Sequence, residues 1–188
     1  MRKLILQMQT SLDGFVATGP NDEQAWVTWA LDEIKPHVIE LLDSTDTILI
    51  GRKLAVDYIP FWQDTFTKPE DPMIEFAKRI VAAKKIVFTK TLDQSSWANT
   101  ELAKGNLVDE ITKLKNQVGK DMVVYGGSSF VSALIKEGLI DEYQFYINPV
   151  VLGKGVPVFD QIDSFRPLVL IKSMVFPSGI ILTTYQPK

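Results

Sequence analysis

The chain has no cysteine, a single histidine and no run of five like charges. Without cysteine, no disulfide frame, thiolate nucleophile or cysteine-ligated metal can form. A lone His37 leaves no histidine pair for metal or triad chemistry, and it is expected on a helix surface; no metal site is expected. Interspersed charges with a formal net charge of −3 suggest neither a nucleic-acid arm nor a polybasic membrane anchor. No stretch approaches the ~20 apolar residues of a membrane span. The start, Met1 to Leu6, imitates a signal peptide, but Gln7, Gln9 and Asp13 interrupt it before an apolar core forms. The expectation is a cytoplasmic protein with a small-molecule ligand and no nucleic-acid or membrane partner.

What is present reads as an ordinary folded chain. Its 188 residues are 46% hydrophobic and 23% charged, and at this length one core removes roughly 70% of the unfolded surface from water. No internal repeat, low-complexity segment or linker divides it, so a single domain over 1–188 is expected.

Apolar periodicity gives the order of elements. Residues 3–9 alternate, with Leu4, Leu6 and Met8 on one side of a first strand. The stretch from Asp13-Gly14 to Asp22 fits neither period. Leu31, Ile34, Val38, Leu41 and Leu42 carry helical spacing over 31–43, with Pro36 near the start. Thr47 to Ile50 is a short strand running into Gly51. Residues 59–71, rich in Pro, Trp and Phe, read as a loop in which Phe61, Trp62 and Phe66 would wall a pocket or cover a partner face. Asp71-Pro72 reads as a helix start, with an N-cap followed by proline, and the helix ends near Ala82. Lys84–Thr89 and Met122–Tyr125 are strands, and 107–117 is an amphipathic helix. Ser128–Lys136 is a helix with Phe130, Ala133 and Leu134 inward, stopped by Gly138. Glu142–Val151, Leu168–Phe176 and Ile180–Gln186 are strand-like, the last two joined by a Pro177-Ser178-Gly179 turn. Repeated βα units followed by a run of β predict a mostly parallel sheet with helices on both faces and antiparallel strands at its end.

Three strand-to-helix junctions draw notice. In Tyr125-Gly126-Gly127-Ser128-Ser129, two glycines let backbone amides approach an anion, and a helix start adds free N–H groups and a positive dipole end. The same residues also suit a tight turn with a serine cap. Neither a G-x-G-x-x-G fingerprint nor a Walker loop is present. In Ile50-Gly51-Arg52-Lys53, Arg52 offers bidentate contacts to a phosphate and Lys53 a point charge, unless both are solvated surface cations. Phe88-Thr89-Lys90-Thr91 again places hydroxyls and a cation past a strand. Three such junctions at strand ends describe a groove for a multiply phosphorylated ligand.

Four segments in this order resemble the dihydrofolate-reductase-like family, and most nearly the reductase domain of the bifunctional riboflavin-biosynthesis deaminase/reductase. They are Ser11–Ala17, Ile50–Lys53, Tyr125–Ser129 and Asn148–Phe159. The resemblance implies a three-layer α/β/α fold with a C-terminal antiparallel hairpin, NADPH as cofactor, and a homodimer. It places Gly126, Gly127, Ser128 and Ser129 on the pyrophosphate. Gly51, Arg52, Lys53, Thr89 and Lys90 fall on the adenosine side with its 2′-phosphate. Val16 and Ala17 would flank nicotinamide, while Asp13, Leu152 and Gly153 would lie near substrate. Relatives often carry threonine where this chain has Leu54, and the deaminase domain with its zinc ligands is absent from this chain.

The implied activity is NADPH-dependent reduction of a pyrimidine- or pteridine-like compound. The alternative is an NADP(H)-binding homodimer without turnover. Hydride transfer needs a proton donor; Asp32 is the candidate for a catalytic acid, in the region of Glu33, with Asp57 second. The spacing to Gly51 does not match a true dihydrofolate reductase. Glu101, Asp109 and Glu110 read as solvated carboxylates. Tyr143, Phe145 and Tyr146 in the strand-rich C-terminal third are the expected homodimer face.

Overall fold

The computed structural model describes residues 1–19 and 24–188, so the end of the irregular stretch before Gln24 lies outside the described residues. The chain gathers into two compact units. One comprises Met1–Arg2 with Lys35–Gly127, the other Lys3–Ile34 with Ser128–Lys188. Among the described residues no helix is long and apolar enough to cross a membrane.

The first unit is built on four parallel strands in the order β5-β4-β3-β6. They are β3 (Thr45–Gly51), β4 (Lys84–Phe88), β5 (Thr100–Ala103) and β6 (Asp121–Val124). Apolar residues on consecutive positions, such as Ile48, Leu49 and Ile50, suit strands buried on both faces. Helices α2 (Arg52–Phe66), α3 (Ile74–Ala82) and α4 (Leu107–Lys115) connect them. Helix α2 takes up 59–66 of the loop expected over 59–71, and only 67–71 stays outside a helix. Its inward residues Leu54, Ala55, Tyr58 and Ile59 pack with Ile50, Val87, Trp97 and Leu102. That spacing of three and four residues was masked by Pro60, an exposed proline whose missing N–H the helix tolerates, and by its aromatic neighbours. Trp62 packs edge-on to Tyr58, Phe61 and Phe76, while Phe61 and Phe66 stay about half exposed.

Asp71 is not the cap: it accepts from the Met73 amide at 2.8 Å within a turn, and the helix starts two residues after Pro72, at Ile74, with Met73 as an N-cap that offers no side-chain bond. Lys85, at the start of β4, is buried and donates to the carbonyls of Val81 (2.8 Å) and Ala83 (2.7 Å) at the end of α3. Burial pushes its ammonium down to about 8. Nothing in the sequence separates it from its exposed-type neighbour Lys84.

The second unit carries β1 (Leu4–Ser11), β7 (Glu142–Asn148), β9 (Leu168–Val175) and β10 (Ile181–Pro187), in the order β1-β7-β10-β9. The β1–β7 pair is parallel and the other two are antiparallel. β1 is buried on both faces rather than one: Gln7 is buried too, donating to Gln144 on β7 at 3.0 Å. β7 ends at Asn148, three residues before the predicted end, where Pro149 removes a ladder donor. Helix α5 (Ser128–Lys136) turns Val131, Leu134 and Ile135 inward, with Ser132 donating to the Val158 carbonyl. Phe130 and Ala133, expected inward, are only partly buried. Tyr143, Phe145 and Tyr146 are buried inside this unit, Tyr146 to 1% exposure. They form its core and cannot be a dimer face. A two-stranded antiparallel sheet, β2 (Phe15–Ala17) with β8 (Val156–Pro157), completes the unit. Helix α1 (Leu31–Ser44) begins in it, as its periodicity predicts.

Candidate functional site

In the first unit, β3 lies between β4 and β6, all parallel. Gly51 pairs with Phe88 and Leu49 with Val124, so all three strands end at the same edge. Arg52, Thr89 and the Tyr125-Gly126-Gly127 turn therefore leave neighbouring strand tips together. The carboxyl edge of a parallel sheet is where open α/β folds take ligands.

Each tip has its own chemistry. α2 starts straight after Gly51 with no side-chain cap and no acidic residue in its first turn. Its first amides and positive dipole end are open to an anion, with half-buried Arg52 and exposed Lys53 beside them. Gly127 adopts φ +78°, a left-handed backbone that favours glycine. Leu54 packs its methyl over buried Gly126, 3.2 Å from where a side chain there would begin. Leu54 is thus an apolar wall against the glycine turn. Tyr125 stacks on Tyr58, ring centres 6.3 Å apart.

Thr89 differs from the expectation in one respect. Its buried oxygen accepts from the Thr91 and Leu92 amides, both at 3.1 Å, and so shapes its own loop. Only its O–H hydrogen is left to donate outward. Lys90 beside it is exposed.

In the second unit a single carboxylate joins two segments far apart in sequence. Asp13 accepts from the Leu152 amide at 3.1 Å and the Gly153 amide at 2.7 Å, and from the Ser11 hydroxyl at 2.7 Å. These hydrogen bonds hold its carboxyl below the usual carboxylate value. Ser11 in turn accepts from the Phe15 amide at 2.9 Å. Asp13, Val16, Ala17, Leu152 and Gly153 are thereby brought together, with Val16 and Ala17 buried in the β2–β8 pair. Both oxygens of Asp13 already bond to the chain, so it positions the 152–153 turn. Asp13→Asn replaces one acceptor oxygen by a donor. Hydrogen exchange at the Leu152 and Gly153 amides should accelerate about tenfold, read by NMR, while amides of β7 stay unchanged. The wild-type protection should persist below pH 3.8 and fade only as pH falls through the lowered folded value, where protonation of the Asp13 carboxyl removes its acceptors.

Ser128 and Ser129 open α5, with Ser129 exposed. Asp32 is exposed in the first turn of α1. Glu33 accepts from the Ser178 amide (3.1 Å) and hydroxyl (2.6 Å), tying that turn to the closing hairpin. Asp57 is exposed on α2.

The role of one residue in the second unit was not visible in the sequence. Asn148 is fully buried at the end of β7; its amide nitrogen donates to Gln9 at 2.8 Å and its oxygen accepts from the Thr28 amide at 3.1 Å. It fixes the segment before α1, where Trp29 takes φ +59° and the Trp26 indole N–H is buried without a partner among the described residues. An asparagine facing a proline at a strand end was the only local signal.

A mostly parallel α/β sheet with this glycine turn and these strand tips defines a protein of the dihydrofolate-reductase-like fold. The dihydrofolate reductase of Enterococcus faecalis, complexed with NADP(H), superposes with a TM-score of 0.60 at 17% identity, over 99% of this chain and 96% of that one. The deaminase/5-amino-6-(5-phosphoribosylamino)uracil reductase of Thermotoga maritima gives 0.71 at 21% identity, over 100% of this chain and 57% of that longer one. The chain belongs to the RibD C-terminal domain family, whose model matches residues 2–182. The uncharacterized protein YyaP of Bacillus subtilis (strain 168) is 35% identical over 187 residues, 98% of this chain and 94% of that protein.

Proposed function

We propose that the chain is a cytoplasmic NADPH-dependent reductase acting on a C=N or C=O group of a pyrimidine- or pteridine-like small molecule. The observation that carries this reading is the adjacency of the β4, β3 and β6 tips, which gathers Arg52, Lys53, Lys90, Gly126 and Gly127 at one sheet edge. Family membership and the reductase named for the Thermotoga relative support the substrate class.

The residues present fit a phosphorylated dinucleotide. The uncapped amides of α2 and the left-handed turn at Gly127 supply donors without side chains in the way. Arg52 and Lys53 supply charge for a 2′-phosphate, and Ser128 and Ser129 hydroxyls for the pyrophosphate. When bound, NADPH supplies the hydride. Val16 and Ala17, held by the β2–β8 pair, bound the nicotinamide, and the Asp13-positioned turn of Leu152 and Gly153 bounds the substrate. The unpartnered Trp26 indole N–H offers a donor to a ring oxygen or nitrogen. Asp32 delivers the proton.

A second reading, an NADP(H)-binding homodimer without turnover, is favoured by one observation: Asp32 is exposed and Glu33 is engaged with Ser178, so neither is set apart as a buried acid. The experiment that separates them follows NADPH absorbance with an aminouracil-type substrate and with dihydrofolate, beside a fluorescence titration of NADPH. Consumption with the aminouracil is the expected result. Tight binding with no consumption across both substrates establishes the second reading, and failure to bind NADPH overturns both.

A further inference from the structure

Apart from the start of α5, which the proposed cofactor site uses, the anion-binding features of the second unit are filled by the chain's own carboxylates. Gly153 takes φ +72°, and the successive Leu152 and Gly153 amides converge as they would on a phosphate. Here both donate to Asp13. The start of α1 carries Asp32 and Glu33 in its first turn, so its positive dipole end is answered from within. Glu33 also takes the amide and the hydroxyl of Ser178.

Strand register puts these groups at one edge. β1 and β7 are parallel, with Ser11 opposite Asn148 at their carboxyl ends. Asn148 holds the Thr28 amide just before α1, and the turn bearing Ser178 lies there too, since Ile181 pairs with Ile147. Two more amides of this edge are spent within the chain, Leu12 on the Val150 carbonyl and Phe15 on the Ser11 hydroxyl. The cations of the unit lie elsewhere. Lys3 precedes β1 and pairs with Glu142, at the opposite ends of the strands. Lys136 closes α5, where Arg166 turns back onto the Ile135 and Lys136 carbonyls. Lys172 sits mid-strand opposite Thr184, and Lys188 follows the end of β10, beyond the pairing of Tyr185 with Tyr143. Lys35, the next cation along α1, donates to the Pro72 carbonyl at 3.2 Å. Of the unit's cations only exposed Lys154 remains at the carboxyl edge.

We infer that the substrate taken at this edge is an unphosphorylated heterocycle, and that the site selects against a phosphate ester of it. The inference rests on the reductase reading above and narrows its substrate class. A phosphate dianion here meets Asp13, Asp32 and Glu33, with one solvated ammonium to offset them. Like charges set against each other reject a wrong partner. The strand tips of the first unit are the reverse case: they keep uncapped amides at α2 beside Arg52 and Lys53, with Lys90 at the next tip, and suit the phosphates of a cofactor. An uncharged ring asks for single donors and acceptors instead. The buried Trp26 indole N–H donates and the exposed Asp32 carboxylate accepts, which suits a ring C=O and a ring N–H. The Thermotoga relative is named for a phosphoribosyl substrate; the edge of this chain carries charge of the wrong sign for that group.

The test compares 5-amino-6-(5-phosphoribosylamino)uracil with the same compound after phosphatase treatment, both at saturating NADPH so that the phosphate sites of the first unit are filled. The dephosphorylated compound is expected to show a kcat/KM at least about tenfold higher. Raising salt from about 20 to 200 mM should lower the KM of the phosphorylated compound, because screening weakens a repulsion. A site that held the phosphate by attraction would raise it. Calorimetric titration of each compound into the NADP⁺ complex repeats the comparison without turnover, and the dephosphorylated form should bind more tightly. Equal or tighter binding of the phosphorylated form, a KM that rises with salt, or no binding of either compound overturns the inference. Failure of NADPH itself to bind is seen before either uracil is added, and removes the reductase reading beneath it.

Discussion

Arg52→Ala is expected to weaken NADPH binding about 100-fold and NADH binding less than threefold, measured by fluorescence titration at fixed salt. The guanidinium stands half-buried at the first position of α2, beside amides that no side chain of the protein caps. A charge-assisted contact of this kind contributes about 2–3 kcal/mol, which is roughly 30- to 150-fold in affinity. NADH lacks the 2′-phosphate but shares everything else, so only the charge that Arg52 meets there separates the two losses. Equal losses for both cofactors would remove Arg52 from the 2′-phosphate and leave it a surface cation. Raising ionic strength should narrow the difference, because the site lies at an open sheet edge where screening is effective.

Gly155→Ala is expected to destabilise the protein by about 2–4 kcal/mol and lower its midpoint temperature by roughly 5–15 °C. A methyl group at this position would sit 2.3 Å from the Ala17 carbonyl oxygen and 3.1 Å from the Phe15 Cβ. The clash is with backbone inside the β2–β8 pair, so no side-chain rotation relieves it, and β8 must leave β2. Turnover should fall with it, since Val16 and Ala17 lose the strand that holds them, while NADPH affinity changes by less than about threefold. Gly19→Ala is the control: an added methyl there meets nothing within 4 Å among the described residues. Equal melting temperatures for the two variants would show that β2 and β8 yield freely.

The legible part of the candidate site was its local part. Glycine pairs, Arg-Lys after a strand and the Asp13-Gly14 loop announce themselves in short windows, because a left-handed turn or an uncapped helix start is a property of a few consecutive residues. The role of Thr89 was half legible: a hydroxyl past a strand was visible, but its turn toward the Thr91 and Leu92 amides was not. Helix α2 was lost over 59–66 for a related reason. Proline and aromatics weigh against a helix in isolation, whereas burial of Ala55 and Ile59 on Ile50 and Val87 outweighs that propensity. Asn148 carried only its place before a proline, and Lys85 carried no signal at all, since a buried amide or ammonium is defined by partners elsewhere in the chain.

By itself the sequence determined that this is an α/β chain with glycine turns and cations at its strand-to-helix junctions, because hydrophobic period, turn glycines and helix starts act between near neighbours. Only the tertiary structure decided that β3 lies between β4 and β6, that Asp13 reaches Gly153 across 140 residues, and that Tyr146 is core while Ile171 meets water. Those outcomes depend on which strands pair and which one is left at the edge. Such choices are made by contacts between distant segments, and the same apolar strand is core beside two neighbours and surface beside one.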